Sequence, residues 1–251
     1  IAKFLYDTFL TDNIKAAKML FQPKLKRNTT PLHLACEGGH SDIVQYLASM
    51  DELFKIQANS YDGYLRTPAV VACQNGSLNC LKILSQKGEV TFDIQKNIFL
   101  PLVEASINGH LDVVKFLLSR PDVQKNIQKD NTQKLNAIQA AVKGRYIEII
   151  RLLIEKGAIQ NYDNLKIGDL MTIAFNSLDL KIIKLFDKNC QIPYNERINE
   201  KDITTTTTWG DKFMQISCLN EKEDFVTFLL NKKCNFNHVD LSTNVKHEWS
   251  N

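Results

Sequence analysis

Six cysteines and five histidines are the side chains best equipped for chemistry in this chain. A thiolate can attack an acyl carbon when an imidazole takes its proton, and thiolates with imidazoles can hold zinc. Either use needs a pattern. Cys36, Cys73, Cys80, Cys190, Cys218 and Cys234 contain no Cys-x-x-Cys pair, and His33, His40, His110, His238 and His247 contain no His-x-x-x-His pair. No Gly-x-x-x-x-Gly-Lys stretch, and no Gly-x-Gly-x-x-Gly after a strand, is present to cradle phosphates. One pairing in space stays open: Cys36 with a neighbouring histidine, as nucleophile and base of a hydrolase. The elements that carry these residues decide between the uses.

The stretch "TPLHLACEGGHSDIVQYLAS", Thr30 to Ser49, sets a pattern that returns along the chain. Ala35 is its anchor, with Gly39 four residues on. Ala72 with Gly76, Ala105 with Gly109 and Ala140 with Gly144 repeat the pair. Ala174 and Ser217 continue it with Leu178 and Glu221 in the glycine slot, and Thr8 with Asp12 begins it. A period of about 33 to 37 residues through the middle of the chain marks a stacked repeat. In Thr30 to Ser49 a short helix starts at a capping threonine with proline in its first turn. Leu32, Leu34 and Ala35 are expected to face inward, the small anchor letting neighbouring repeats approach. Gly38 and Gly39 end the helix, because glycine reaches the left-handed conformation at little cost. Ile43, Val44, Tyr46 and Leu47 then recur at helical period in a second helix. Helices this short are not stable alone, so stacked neighbours must supply the burial.

Thr30 to His40 resembles the ankyrin repeat closely: Thr-Pro-Leu-His at the first helix start, an alanine, then Gly-His before the second helix. Leu100 to His110 and Thr67 to Gly76 match well. The repeats on Ala140 and Ala174 match moderately, and the first and last only in apolar spacing. The resemblance implies an all-α solenoid of helix-turn-helix pairs, with β-hairpin-like fingers projecting between repeats. It also implies that His33 hydrogen-bonds the backbone of the adjoining finger. About seven repeats are expected in one domain over 1–251, at approximately 1–25, 26–61, 62–95, 96–129, 130–163, 164–206 and 207–238. An enlarged loop at 191–211 holds the threonine run Thr204 to Thr208. The chain opens without methionine and ends on what reads as the entry to another repeat, so it is expected to be part of something longer.

In this register the thiols become packing residues. Cys36, Cys73 and Cys218 share the slot after the anchor, Cys80 lies in a second helix, and Cys190 and Cys234 follow second helices. Buried free cysteine behaves as a small hydrophobe, and free thiols suit a reducing, cytoplasmic compartment. No catalytic residue, metal ion, cofactor or small-molecule substrate is expected.

Charge and hydropathy narrow the partners. The formal net charge is +3, from 31 basic and 28 acidic residues that are interspersed. The densest basic cluster, Lys24, Lys26 and Arg27, is too short for a nucleic-acid footprint. No apolar run approaches the roughly 18 to 20 residues of a membrane span. Ile1 to Leu20 carries Lys3, Asp7, Asp12 and Lys15, which does not fit a signal peptide. A protein partner remains. Abundant Lys, Ile and Asn suit an A+T-rich genome, which frames the complete protein as a pathogen's effector or scaffold on a host protein, in the host cytoplasm.

The resemblance implies a partner surface built from the first helices and the fingers. Two residues after each anchor stand Glu37, Gln74, Ile107, Val142, Asn176 and Leu219, a ladder whose chemistry changes from repeat to repeat. The finger before Thr67 carries Tyr61, Tyr64 and Arg66 around the turn signal Asp62-Gly63, and Tyr and Arg are over-represented in binding hot spots. Phe99 and Leu165, in other fingers, read as packing residues. The function expected is that of a non-enzymatic, monomeric interaction module that binds a protein through its concave face and fingers. The alternative is the targeting portion of an enzyme whose catalytic domain lies outside residues 1–251.

Overall fold

Several helices in this chain begin where a side chain takes over a backbone donor that helix geometry leaves unpaired. Thr30 Oγ1 accepts from the His33 amide at 3.4 Å and Thr67 Oγ1 from the Val70 amide at 3.4 Å, each with proline next in sequence. The computed structural model of the chain describes residues 28–87, 90, 100–128, 130, 135–160, 162–198 and 208–232. The expected first repeat, the Lys24–Arg27 cluster, Ile98, Phe99, Thr204 to Thr207, Cys234, His238, His247 and the side chain of Leu165 lie outside them.

Among the described residues the helices are α1 (Pro31–Glu37), α2 (Ser41–Ala48), α3 (Asp51–Gln57), α4 (Pro68–Gln74), α5 (Leu78–Gln86), α6 (Pro101–Ile107) and α7 (Leu111–Leu118). They continue as α8 (Pro121–Gln124), α9 (Ala137–Lys143), α10 (Ile147–Glu155), α11 (Asn164–Asn176), α12 (Leu180–Asn189), α13 (Trp209–Leu219) and α14 (Glu223–Asn231). The chain divides into two units, residues 1–140 and 141–251.

In the first unit α4 packs between α1 and α6, and α5 between α2 and α7, so first and second helices form two layers. The anchors explain the close approach: Ala35, Ala72 and Ala105 are buried, with no side chain beyond Cβ to hold the helices apart. Leu34 departs from expectation and is 47% exposed. Leu32, Ala35 and Cys36 claim the buried arc of α1, and at about 100° per residue position 34 falls on its far side. Ile43 is likewise exposed, since Val44, Leu47 and Ala48 form the buried face of α2.

The turn between paired helices needs a left-handed residue, and Gly39, Gly76 and Gly109 supply it with φ of 69°, 71° and 79°. Repeats without that glycine keep the turn. Arg145, Leu178 and Glu221 take φ of 59°, 54° and 53°. The first of these corrects the register. His40, Ser77 and His110 donate their amides to Ala35, Ala72 and Ala105, and the matching bond runs from Tyr146 to Ala141. The anchor of the repeat expected at 130–163 is therefore Ala141 and not Ala140. Gly144 sits one residue early, in the slot of Gly38, and Asn136 with Gln139 replaces Thr30 with His33 as the reciprocal cap.

No strand forms among the described residues; one isolated antiparallel bridge joins Arg197 and Thr208. Before Thr67 the chain adds α3 and then a hairpin-like turn without strands. The Asp62 amide donates to the Arg66 carbonyl and the Leu65 amide to the Asp62 carbonyl, both at 3.0 Å, and the Asp62 side chain closes the turn further. Phe54 buries from α3, which is why that inserted stretch is helical.

In the second unit α10 packs on α12, α11 on α12 and α13, and α13 on α14. Thr208, the last of the threonine run, caps α13 through a reciprocal pair with Asp211. Phe175 stacks on Phe213 at 4.5 Å, with Trp209 and Phe225 against the same pair at 6.0 and 5.8 Å. Gly168 on α11 admits the Trp209 ring: a Cβ there would lie 2.2 Å from Trp209 Cε2.

Candidate partner-binding surface

Asp62 is the hub of the loop before α4. Its side chain is fully buried, and Oδ1 accepts from the amides of Tyr64 and Arg66, both at 2.9 Å. Oδ2 accepts from Arg66 Nε at 2.9 Å and Nη2 at 2.8 Å. Arg66 Nη1 donates to Gln74 Oε1 at 3.0 Å, and Gln74 Nε2 donates to Glu104 Oε2 at 2.9 Å. From the other side, the Thr30 amide donates to His33 Nδ1 at 3.3 Å, so the neutral ring carries its proton on Nε2 and donates to the Arg66 carbonyl at 2.9 Å. The bond implied for His33 is present. One polar chain thus ties α1, the loop, α4 and α6 together.

This network reassigns Arg66. Its guanidinium is held by a buried carboxylate and an amide and lies 4.8 Å from the centre of the Tyr64 ring, so it supports the loop and is not a free cation for a partner. What the loop presents outward is apolar and aromatic. Tyr61 is 41% exposed, Tyr64 48% and Leu65 50%. Leu65 has φ of 62°, whereas Gly63, at the centre of the turn signal, does not take the left-handed conformation. Leu65 carried no sequence signal, because nothing in "YDGYLR" marks a leucine as the left-handed residue.

Glu37, Gln74 and Ile107 occupy equivalent positions on adjacent α1, α4 and α6. Glu37 and Ile107 are exposed, and Gln74 is half-buried within the polar chain. Val142 is fully buried, because the corrected register puts it in the slot of Cys36 and Cys73. Lys143 takes the ladder position and is exposed. Asn176, like Lys143 and Leu219, belongs to the second unit and is exposed.

Cys36, Cys73, Cys80, Cys190 and Cys218 are all free. A hydrogen bond with Cys80 and burial push Cys36 well up, and the same bond draws Cys80 down; burial pushes Cys73 up and Cys190 up to about 11. Thiols held protonated are poor nucleophiles. Both nitrogens of His33 are bonded to backbone, and His110 Nε2 lies 2.8 Å from the Gln74 carbonyl oxygen. The open Cys36–histidine pairing is absent among the described residues. No group of three His, Cys, Asp or Glu residues there could hold a metal ion.

Burial also acts on Glu104. It pushes the carboxyl group up, against the opposing bond from Gln74 and the charge of Arg66. His33 is held below its ordinary value, chiefly by burial.

A family model described as ankyrin repeats (3 copies) matches residues 6–98, 50–129 and 102–196. The human ASB11 ankyrin repeat domain superposes with a TM-score of 0.63 at 19% identity, over 83% of this chain and 85% of its own. No curated protein sequence matches the chain. The recurrent anchors, the left-handed turns, the His33 tie to the neighbouring loop and the family match over most of the sequence agree: the chain belongs to the ankyrin-repeat family.

Proposed function

We propose that the chain is a non-enzymatic module that binds a partner protein through the loop at 60–66 and the first helices α1, α4 and α6. Ankyrin repeats are in general protein–protein interaction modules. The observation that carries the reading here is Leu65. A leucine held left-handed costs about 1–2 kcal/mol, and this one also leaves half its surface in water between Tyr64 and Arg66. Strain of this kind persists where surrounding structure enforces it, and the Asp62–Arg66 pair enforces it here. Tyr61, Tyr64 and Leu65 are thereby pre-organised, which lowers the ordering cost of binding. The free thiols suit a cytoplasmic setting.

A module of this kind serves a scaffold or effector on a host protein, or the recruitment arm of a larger enzyme. Full-length protein that chemically modifies its captured partner would assign the second use. The surface itself is tested by pull-down with Tyr61→Ala/Tyr64→Ala/Leu65→Gly, its fold first checked by circular dichroism. Arg66 stays in place, because removing it would open the loop. Loss of a partner captured by the wild type supports the reading. Equal capture by both chains moves the site off this loop.

A further inference from the structure

The charges around Gln74 do not balance. Asp62 is neutralised by Arg66 through two hydrogen bonds. Glu104, 8% exposed on α6, receives one bond from a neutral amide, and no ion pair involves it among the described residues. Its second oxygen, Oε1, has no hydrogen-bond partner there and is not sealed from solvent. On the opposite side of α4, Glu37 is exposed on α1 and takes part in no ion pair among the described residues. Leu34, Tyr61, Tyr64, Leu65 and Ile107 are the exposed large apolar groups on these elements and the loop at 60–66. Among the described residues the patch is locally acidic, on a chain whose formal net charge is +3.

We infer that the partner segment that docks on this face is basic, placing Lys or Arg side chains toward Glu104 and Glu37 and apolar side chains toward Tyr64, Leu65 and Ile107. This deepens the interaction reading above and rests on it. The physical ground is the cost of a carboxylate that is mostly withdrawn from water without a cation against it. A guanidinium or ammonium arriving with the partner meets an already desolvated acceptor, and a charge-assisted bond there is stronger than one to a neutral group. An acidic segment would bring like charges together, which disfavours it. Exposed Glu37 adds a longer-range attraction that salt screens, whereas the contact at Glu104 is less affected by salt.

The test is selection of displayed random dodecapeptides on the immobilised chain, run beside Glu37→Gln/Glu104→Gln and beside Tyr64→Ala. Each variant is first shown to melt cooperatively. The expected result is enrichment of Lys and Arg over Asp and Glu on the wild type, with that bias lost on Glu37→Gln/Glu104→Gln. Affinity of a selected peptide should fall at least fivefold on Glu104→Gln and on Tyr64→Ala. Peptides that lose affinity on Tyr64→Ala but show no basic bias, or an acidic one, would overturn the charge inference alone. Peptides indifferent to all three substitutions, or no enrichment at all, would overturn both the charge inference and the binding face on which it rests.

Discussion

Single residues set the cost of this surface. Leu65 is the sharpest case, because its strain and its exposure oppose stability together. Leu65→Gly removes about 1–2 kcal/mol of left-handed strain and adds about 0.5–1 kcal/mol of unfolded-chain entropy. The expected result is a protein more stable by about 0.5 kcal/mol in urea titration and at least fivefold weaker toward its partner. A substitution that stabilises and disables at once separates a recognition residue from a packing one. If Leu65→Gly left affinity intact, the outward leucine would have no part in recognition. His33 shows the opposite economy. Its two nitrogens join the Thr30 cap to the Arg66 carbonyl, so one side chain starts α1 and anchors the loop. That role was legible only through the resemblance of Thr-Pro-Leu-His to the ankyrin signature, which implies the bond from His33 to the adjoining finger. Glu104 carried no such signal, because an acidic residue in "LPLVEAS" reads as an exposed helix position until Gln74 is seen against it.

Elements show where pattern reading succeeds and where it slips. The anchors Ala35, Ala72, Ala105 and Ala174 were legible because small residues recur four positions before a turn, and all four are buried. The fifth repeat slipped by one, because Ala140 and Ala141 are adjacent and Gly144 offered the wrong one a match. Only the left-handed Arg145 and the bond from Tyr146 to Ala141 decide it. The two registers differ in what Val142→Lys should do. A buried lysine there leaves a charge without a partner, so the expected loss is at least 3 kcal/mol by chemical denaturation, whereas Lys143→Glu should change stability by less than about 0.5 kcal/mol. Equal tolerance of both would restore the original register. The aromatic cluster was not legible at all, since Phe175, Trp209, Phe213 and Phe225 come from three helices with no shared spacing. It makes Gly168 a packing residue. Gly168→Ala gains about 1 kcal/mol of helix propensity but drives a methyl group into a buried ring, at about 1–3 kcal/mol. The clash should win, lowering the melting temperature; a higher one would show that Trp209 yields.

For the molecule as a whole, two buried titratable groups make stability depend on pH in opposite senses. His33 is held below its ordinary value, so the unfolded chain takes up its proton first as pH falls. Its contribution is complete above the unfolded value of about 6.5 and is lost as pH drops through the folded one, when a proton on Nδ1 faces the Thr30 amide. Glu104 is held above its ordinary value, so its contribution is complete below the unfolded value of about 4.3 and is lost as pH rises through the folded one. Melting temperatures of wild type, His33→Gln and Glu104→Gln across pH 3 to 8 separate the two. His33→Gln should flatten the acid limb. Glu104→Gln should match the wild type most closely in acid and gain on it steadily toward neutrality. A gain that does not grow with pH would mean that Glu104 is not costly when ionised. The expected growth means that the fold carries a carboxylate at a stability cost, beside the exposed Ile107 and linked through Gln74 to the strained loop. Such a cost is tolerated where function requires the group, and a cation brought by the partner would relieve it at the moment of binding.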